Sequence, residues 1–165
     1  MRSDVAQDAD SSQIDRALIE KAFAETGYDL ADHAAHVLRR AHQRASSCFH
    51  SLLGEFGITP TQHAALATLL RQGELSQNQL GRLTAMDPST ISIVVRKLVK
   101  DGLVKGTPSP TDSRLTMLSL TPRGVEFTLP LLQLSLDSVT MFLSPLNGRE
   151  QATFLKLLKK VAAEG

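Results

Sequence analysis

The chain has 165 residues, with 18 lysines and arginines against 17 aspartates and glutamates, a formal net charge of +1 at neutral pH. That length suits one domain with a real core, and a single cysteine excludes an intrachain disulfide framework. No apolar run reaches membrane-spanning length and no signal-peptide core opens the chain, so a cytoplasmic protein without a membrane partner is expected.

Residues 1–11 are polar and expected to form a flexible tail. Ile14, Leu18, Ala22 and Phe23 fall at helical spacing and predict a short helix that Gly27 ends. A longer helix is predicted from about Asp29 to Leu53. Its apolar stripe holds Leu30, Ala34, Val37, Leu38, Ala41, Ala45, Cys48, Phe49, Leu52 and Leu53, and Gly54 and Gly57 break it. Thr59 caps the next helix, with Pro60 at its first position and Gln62 placed for a capping box.

Ser76 then opens Ser-Gln-Asn-Gln, a hydroxyl cap with a glutamine three residues on. This helix should run to about Leu83, with Leu80 and Leu83 inward. Thr84-Ala85-Met86 reads as a turn. Asp87-Pro88 restarts a helix, and Gly102 closes it at a left-handed position. Ile91, Val94, Val95 and Leu98 must face the core, which leaves Ser89, Thr90, Ser92, Arg96, Lys97 and Lys100 outside with no acidic residue among them. Two short runs follow, Leu103-Val104-Lys105 and Thr116 to Leu120, joined by the turn-rich Thr107 to Ser113. Thr121-Pro122 starts a helix to about Leu143, bent at Pro130, and Asn147 with Glu150 caps a last helix striped by Phe154, Leu155, Leu158 and Val161.

Two capped helices, a short turn and a hairpin make the layout of a winged helix-turn-helix, which sets one helix in the DNA major groove. The fold expected is mainly α with a small β-wing, flanked by N- and C-terminal dimerisation helices. The predicted partition is a tail over 1–11, N-terminal helices over 12–57, the DNA-binding unit over 58–121 and C-terminal helices over 122–165. Charge follows this division. Residues 1–32 carry eight acidic and three basic side chains, a net of −5, and residues 88–123 carry six basic and two acidic, a net of +4. Small hydroxyls at Ser89, Thr90 and Ser92 allow close approach to base edges, and the start of that helix can face phosphates. Arg96 and Lys97 can reach a guanine edge or a phosphate. Ser76, Gln77 and Asn78, opening the preceding helix, join this DNA-binding set. Arg114 leaves the loop where a guanidinium suits a narrow minor groove, with Asp112 to hold it.

Several of these residues also carry a family pattern. Lys97-Leu98, Asp101-Gly102-Leu103-Val104, Asp112-Ser113-Arg114 and Leu118-Ser119-Leu120-Thr121-Pro122-Arg123-Gly124 stand in order, with Ile58-Thr59-Pro60-Thr61-Gln62 before them and Leu143-Ser144-Pro145 after. The chain resembles the MarR family of bacterial transcription regulators over roughly residues 30 to 163. The resemblance implies a homodimeric DNA-binding repressor, often released by a small aromatic ligand. Two positions depart from the pattern: Ser113 and Ile93 stand where a basic residue is common, which lightens the electrostatic footprint.

Leu129, Leu131, Leu132, Leu134, Leu136, Val139, Met141, Phe142 and Leu143 make one C-terminal helix apolar almost all round, and a second subunit is the simplest cover. Two-fold symmetry would set two reading helices about one DNA turn apart on a pseudo-palindromic operator in double-stranded DNA. The polar side of the long N-terminal helix carries His36, Arg39, Arg40, His42 and Arg44, a cluster that an anionic ligand would explain. The family resemblance places effectors where the dimer helices meet the reader, and Leu38 to Arg44 is similar to members governing aromatic-acid breakdown. A small anionic aromatic effector, an aromatic acid or its thioester, is therefore expected, with Phe49, Phe56 and His63 as candidate walls. Solvation of these arginines, or pairing with the acidic N-terminal segment, is the competing reading.

Other chemistries find less support. His33 and His36 could share a metal, but no second cluster has zinc spacing. Cys48 falls in the apolar stripe, where a buried small hydrophobe is expected rather than a redox switch. No nucleophile elbow or phosphate loop is present, so no catalytic residue, cofactor or metal is predicted. A winged-helix protein-interaction adaptor, or a metal- or redox-responsive regulator of the same fold, are the alternatives. An adaptor has no use for a hydroxyl-rich, acid-free reading face.

Overall fold

The computed structural model describes residues 15–109 and 116–163. Its helices are α1 (Arg16–Thr26), α2 (Ala34–Leu53), α3 (Pro60–Gln72), α4 (Gln77–Leu83), α5 (Pro88–Lys100), α6 (Pro122–Leu143) and α7 (Gly148–Ala162), with a 3-10 turn at Gly54–Phe56. Its strands are β1 (Leu75–Ser76), β2 (Val104–Pro108) and β3 (Thr116–Leu120). The chain divides into two compact units, residues 1–41 and 42–165, with the break inside α2.

In the first unit, the Asp15 carboxylate accepts the Ala17 and Leu18 N–H groups to start α1, and Gly27 ends it at φ +61°. α1 buries no residue; Leu18 and Phe23 are exposed. The long helix expected from Asp29 begins five residues later, at Ala34. Asp29 Oδ1 instead accepts the Ala31 N–H at 2.8 Å, and the His33 N–H bonds the Leu30 carbonyl. An aspartate that satisfies nearby backbone donors competes with the helix, and here it prevails. The predicted inward stripe is corrected with it. Leu30, Val37 and Leu38 are about half exposed, and burial in α2 is confined to Cys48, Phe49 and Leu53.

The second unit holds the core. Leu53, Leu66, Leu69, Leu80, Leu98 and Leu131 are fully buried, joined by Ile58, Ile91, Val94, Leu103 and Leu118. Each such side chain contributes about 1.5–3 kcal/mol of burial. Reciprocal capping boxes at Thr59–Gln62, Ser76–Gln79 and Asn147–Glu150 start α3, α4 and α7, as their spacing predicts. Leu80 packs inward, but Leu83 does not: it is 57% exposed at the end of α4. The intervening turn carries Ala85 at φ +52°, a left-handed conformation unusual for a residue with a Cβ.

The sheet is antiparallel with order β1-β3-β2, pairing Leu75 with Leu118 and Val104 with Leu120. Two features depart from the sequence expectation. β2 continues through Thr107 and Pro108, which were expected in the loop. β2 lies at the sheet edge, where a proline without a donor is tolerated. β1, absent from the sequence reading, uses two residues to pair with the other side of β3. Arg114 and Asp112 lie outside the described residues.

The end of α5 is a double lock. Gly102, at φ +70°, lets its own N–H reach the Val99 carbonyl and the Leu103 N–H reach the Leu98 carbonyl. Leu98 and Leu103, at the two ends of that motif, are both buried. α6 then starts against the same turn: a Cβ on Gly124 would lie 2.0 Å from the Leu103 carbonyl oxygen, so only glycine fits.

Candidate DNA-reading face and effector cavity

α4 and α5 with the turn between them form the helix-turn-helix, and β2 and β3 follow as the wing. On α5, Ile91, Val94, Val95 and Leu98 are buried, as helical spacing requires. Ser89, Arg96, Lys97 and Lys100 are exposed, and Thr90 and Ser92 are half-buried. Ile93 is 65% exposed, an apolar residue in the middle of the outward face.

The hydrogen bonds alter the expected roles. Asp87 accepts the Ser89 and Thr90 N–H groups at 2.9 Å each and both of their hydroxyls at 2.5 Å. Those bonds, the hydroxyl ones foremost, hold its carboxyl well below the usual carboxylate range. The start of α5 thus carries a fixed negative charge at the Asp87 cap, beside the N–H groups and hydroxyls expected to face DNA. Lys97 is also engaged, with Nζ 2.6 Å from both Asp101 carboxylate oxygens. Arg96, Lys100 and Lys105 make no side-chain bond or ion pair among the described residues, and remain available to an anionic partner. Ser76 is committed to its capping box and to β1, Gln77 is half-buried and Asn78 is exposed.

The C-terminal end of α5 is bolted to α6. Thr121 Oγ1 donates to the Gly102 carbonyl at 2.7 Å, the Thr121 N–H to the Leu103 carbonyl at 3.0 Å, and Arg123 Nη1 to the Asp101 carbonyl at 3.0 Å. These three bonds tie the start of α6 to the end of the recognition helix. This joint lies outside the apolar and charge patterns, and sequence reasoning missed it.

Three to six turns along α6, its side chains line a cavity of about 300 Å³ shared with α2 and α3. Phe49, Phe142, Val139, Ala45 and Pro60 form apolar walls. His42, His63, Ser46, Ser135 and Ser138 supply polar atoms. His63 is the unusual member. It is 8% exposed, its ring meets Phe49 edge-on at 5.7 Å, and its Nε2 is sealed from solvent without a hydrogen-bond partner. Burial holds the imidazole pKa below its usual value, outweighing an opposing effect of the Leu131 backbone. An unpaired buried polar atom costs about 1–3 kcal/mol, and such atoms are few in folded proteins.

The predicted ligand residues separate. His42, Phe49 and His63 line the cavity. Arg44 does not, although Nη2 reaches the Met141 carbonyl on α6 at 3.5 Å. Phe56 lies elsewhere: it meets Phe127 edge-on at 6.4 Å and borders a different cavity, beside Lys97 and Arg123. His36, Arg39 and Arg40 belong to the other compact unit, where Arg39 Nη2 lies 3.3 Å from His36 Nδ1. Ser135, Ser138, Val139 and Phe142 were not predicted; the overall apolarity of α6 masked its cavity face.

A capped helix pair, a wing and an outward basic second helix define a winged-helix DNA-binding regulator of transcription. The model of the MarR family matches residues 56–115. The HTH-type transcriptional repressor NicR of Pseudomonas putida is 30% identical over 82% of this chain and 86% of its own length. A probable transcriptional regulator of Pseudomonas aeruginosa is 41% identical, with 81% of this chain and 99% of that one covered at a TM-score of 0.78. BpsR of Bordetella bronchiseptica, whose DNA binding is regulated by 6-hydroxynicotinic acid, is 26% identical with 84% and 99% covered at a TM-score of 0.80. The chain belongs to the MarR family of transcriptional regulators; it is a DNA-binding protein and not an enzyme. No single helix among the described residues is long and apolar enough to cross a membrane.

Proposed function

We propose that the protein is a homodimeric transcriptional repressor that leaves a pseudo-palindromic operator when a small aromatic acid enters the cavity between α2, α3 and α6. The observation that carries this is the double duty of α6. Ser135, Ser138, Val139 and Phe142 line the cavity, while Thr121 and Arg123 at its other end hold the C-terminus of the recognition helix. A ligand that prefers one α6 position therefore biases the placement of α5, and its differential affinity for the two positions sets how far DNA affinity falls. Aromatic walls and a volume of about 300 Å³ suit a single-ring compound, at the small end of ligand sites. Arg44, beside α6, supplies positive charge for its carboxylate, and His42, an exposed residue of the cavity wall, offers a polar ring. The family relationship to a named repressor and to a regulator governed by 6-hydroxynicotinic acid supports the reading.

Dimerisation is supported by apolar surface that one subunit leaves open. Leu129, Leu136 and Met141 on α6 are 53%, 62% and 42% exposed, and Leu157 and Val161 on α7 are 56% and 73% exposed. Apolar patches on this scale mark association surfaces. On DNA, Arg96, Lys97 and Lys100 contact phosphates and base edges from α5, with Ser92, Asn78 and the wing arginine Arg114 completing the set. The test is to select bound duplexes from a random-sequence pool and then titrate the selected duplex complex with benzoate, hydroxybenzoates and hydroxynicotinates. The expected result is enrichment of a two-fold symmetric site and release by at least one acid. Enrichment of no sequence, or a complex indifferent to every acid, contradicts the proposal.

A further inference from the structure

We infer that Ile93, on the outward ridge of α5, is a specificity-determining residue that packs on the C5-methyl group of a thymine in the major groove and so fixes a T·A pair in each half of the operator. This rests on the reading of α5 as the recognition helix and adds a base identity to it. The position follows from helix geometry. At about 100° per residue, Ile91, Val94, Val95 and Leu98 share one side of α5, and all four are buried. Ile93 falls nearly opposite them, on a ridge shared with Ser89, Arg96, Lys97 and Lys100, and is 65% exposed. Every other member of that ridge is polar or cationic. Val99, also apolar and exposed, lies about a quarter-turn to one side. The surroundings of Ile93 select its partner. Flanking cations make a poor seat for an apolar protein surface but match the charge of a duplex. In the major groove only thymine presents an apolar group; the edges of the other bases are donors and acceptors that Ile93 would desolvate without replacing their bonds. The neighbouring hydroxyls do not offset this. Ser89 and Thr90 each give their hydroxyl proton to Asp87, so the first turn of α5 has no free hydroxyl proton to offer a guanine edge.

The experiment starts from the duplex that the full-length protein selects out of a random-sequence pool. Each thymine, with its symmetry mate, is replaced in turn by deoxyuridine, which removes the methyl and keeps the hydrogen bonds of the pair. Anisotropy at fixed salt reads the affinity. One such replacement should weaken wild-type binding about fourfold per half-site, the loss of one buried methyl. With Ile93→Ala the same replacement changes affinity about onefold, and with Ile93→Val, which keeps a branched end, most of the loss remains. Both variants should melt as the wild type does, because the side chain is exposed. A sensitivity confined to one thymine and dependent on Ile93 separates a base contact from a general effect on the helix or its charge. A selected site at which no deoxyuridine replacement matters, or a penalty that persists undiminished in Ile93→Ala, overturns this inference and leaves α5 as the recognition helix. Enrichment of no sequence overturns both.

Discussion

The Lys97–Asp101 pair makes a quantitative prediction about the reading face. Lys97 Nζ sits 2.6 Å from both carboxylate oxygens, with the side chains 50% and 34% exposed. A pair so open to water is worth about 0.2–1 kcal/mol once screening is included. DNA must displace that carboxylate before a phosphate can take the lysine. Asp101→Asn removes the competitor without touching the Asp101 carbonyl that anchors Arg123. Operator affinity should therefore rise about 1.5- to 5-fold. Deleting a negative charge near DNA would raise affinity anyway, so the diagnostic is the double-mutant cycle with Lys97→Met. If Asp101 acts through Lys97, the gain from Asp101→Asn mostly disappears in the Lys97→Met background. Anisotropy titrations from 50 to 300 mM salt supply a second reading. Lys97→Met should make the slope of log K against log salt shallower by about 0.9, the contribution of one lost phosphate contact. Equal gains from Asp101→Asn in both backgrounds, or an unchanged slope in Lys97→Met, would refute the role given to Lys97.

Further outcomes follow from other parts of the structure. Arg96→Ala, removing an exposed cation that no other described side chain holds, should weaken operator binding by about 1–3 kcal/mol if its partner is a guanine edge, read by anisotropy against a sequence-scrambled duplex. Gly124→Ala forces a methyl against the Leu103 carbonyl and should cost about 3 kcal/mol or more, a Tm lower by about 6–12 °C. Burial lowers the His63 pKa, so the unfolded chain takes up a proton that the native ring resists as pH falls below about 6.5. Its stabilising contribution is therefore present above that pH and lost below it, by at most about 1.4 kcal/mol per pH unit. Denaturant melts at pH 7 and pH 5 should show His63→Phe losing less stability than wild type. Leu136→Lys with Leu157→Glu places charge on the open apolar faces and should shift the sedimentation coefficient to that of a monomer at micromolar concentration.

The reading unit was legible because each boundary carries its own local chemistry. Thr59, Ser76 and Asp87 start helices by hydrogen bonds that span two or three residues, and Gly102 ends one by a conformation that glycine adopts without strain. The buried face of α5 followed from helical spacing. What was missed depends on partners distant in sequence. β1 exists only because β3 offers an open edge, and two residues leave no periodic trace. Asp29 diverted the chain from the start of α2 through a bond that the apolar pattern does not record. Leu83 and Leu38 were placed inward by type, whereas tertiary packing left them in the open. The cavity was half visible: His42 follows from the polar side of the long helix, and Phe49 and His63 from the family resemblance, but the face of α6 that closes it and the unpaired nitrogen of His63 required coordinates. The engagement of Ser89 and Thr90 by Asp87 was likewise hidden, since a cap predicts bonds to the backbone and not to both hydroxyls.

The central claim is that two copies of this chain present α5 to one duplex and withdraw it when the cavity fills. Sedimentation of the protein with a labelled, selected duplex, before and after adding a hydroxybenzoate, tests it most directly. The account predicts two chains per duplex without the acid, and free DNA with a protein dimer once it is present. One chain per duplex, or a complex whose composition the acid leaves unaltered at saturating occupancy of the cavity, would contradict it.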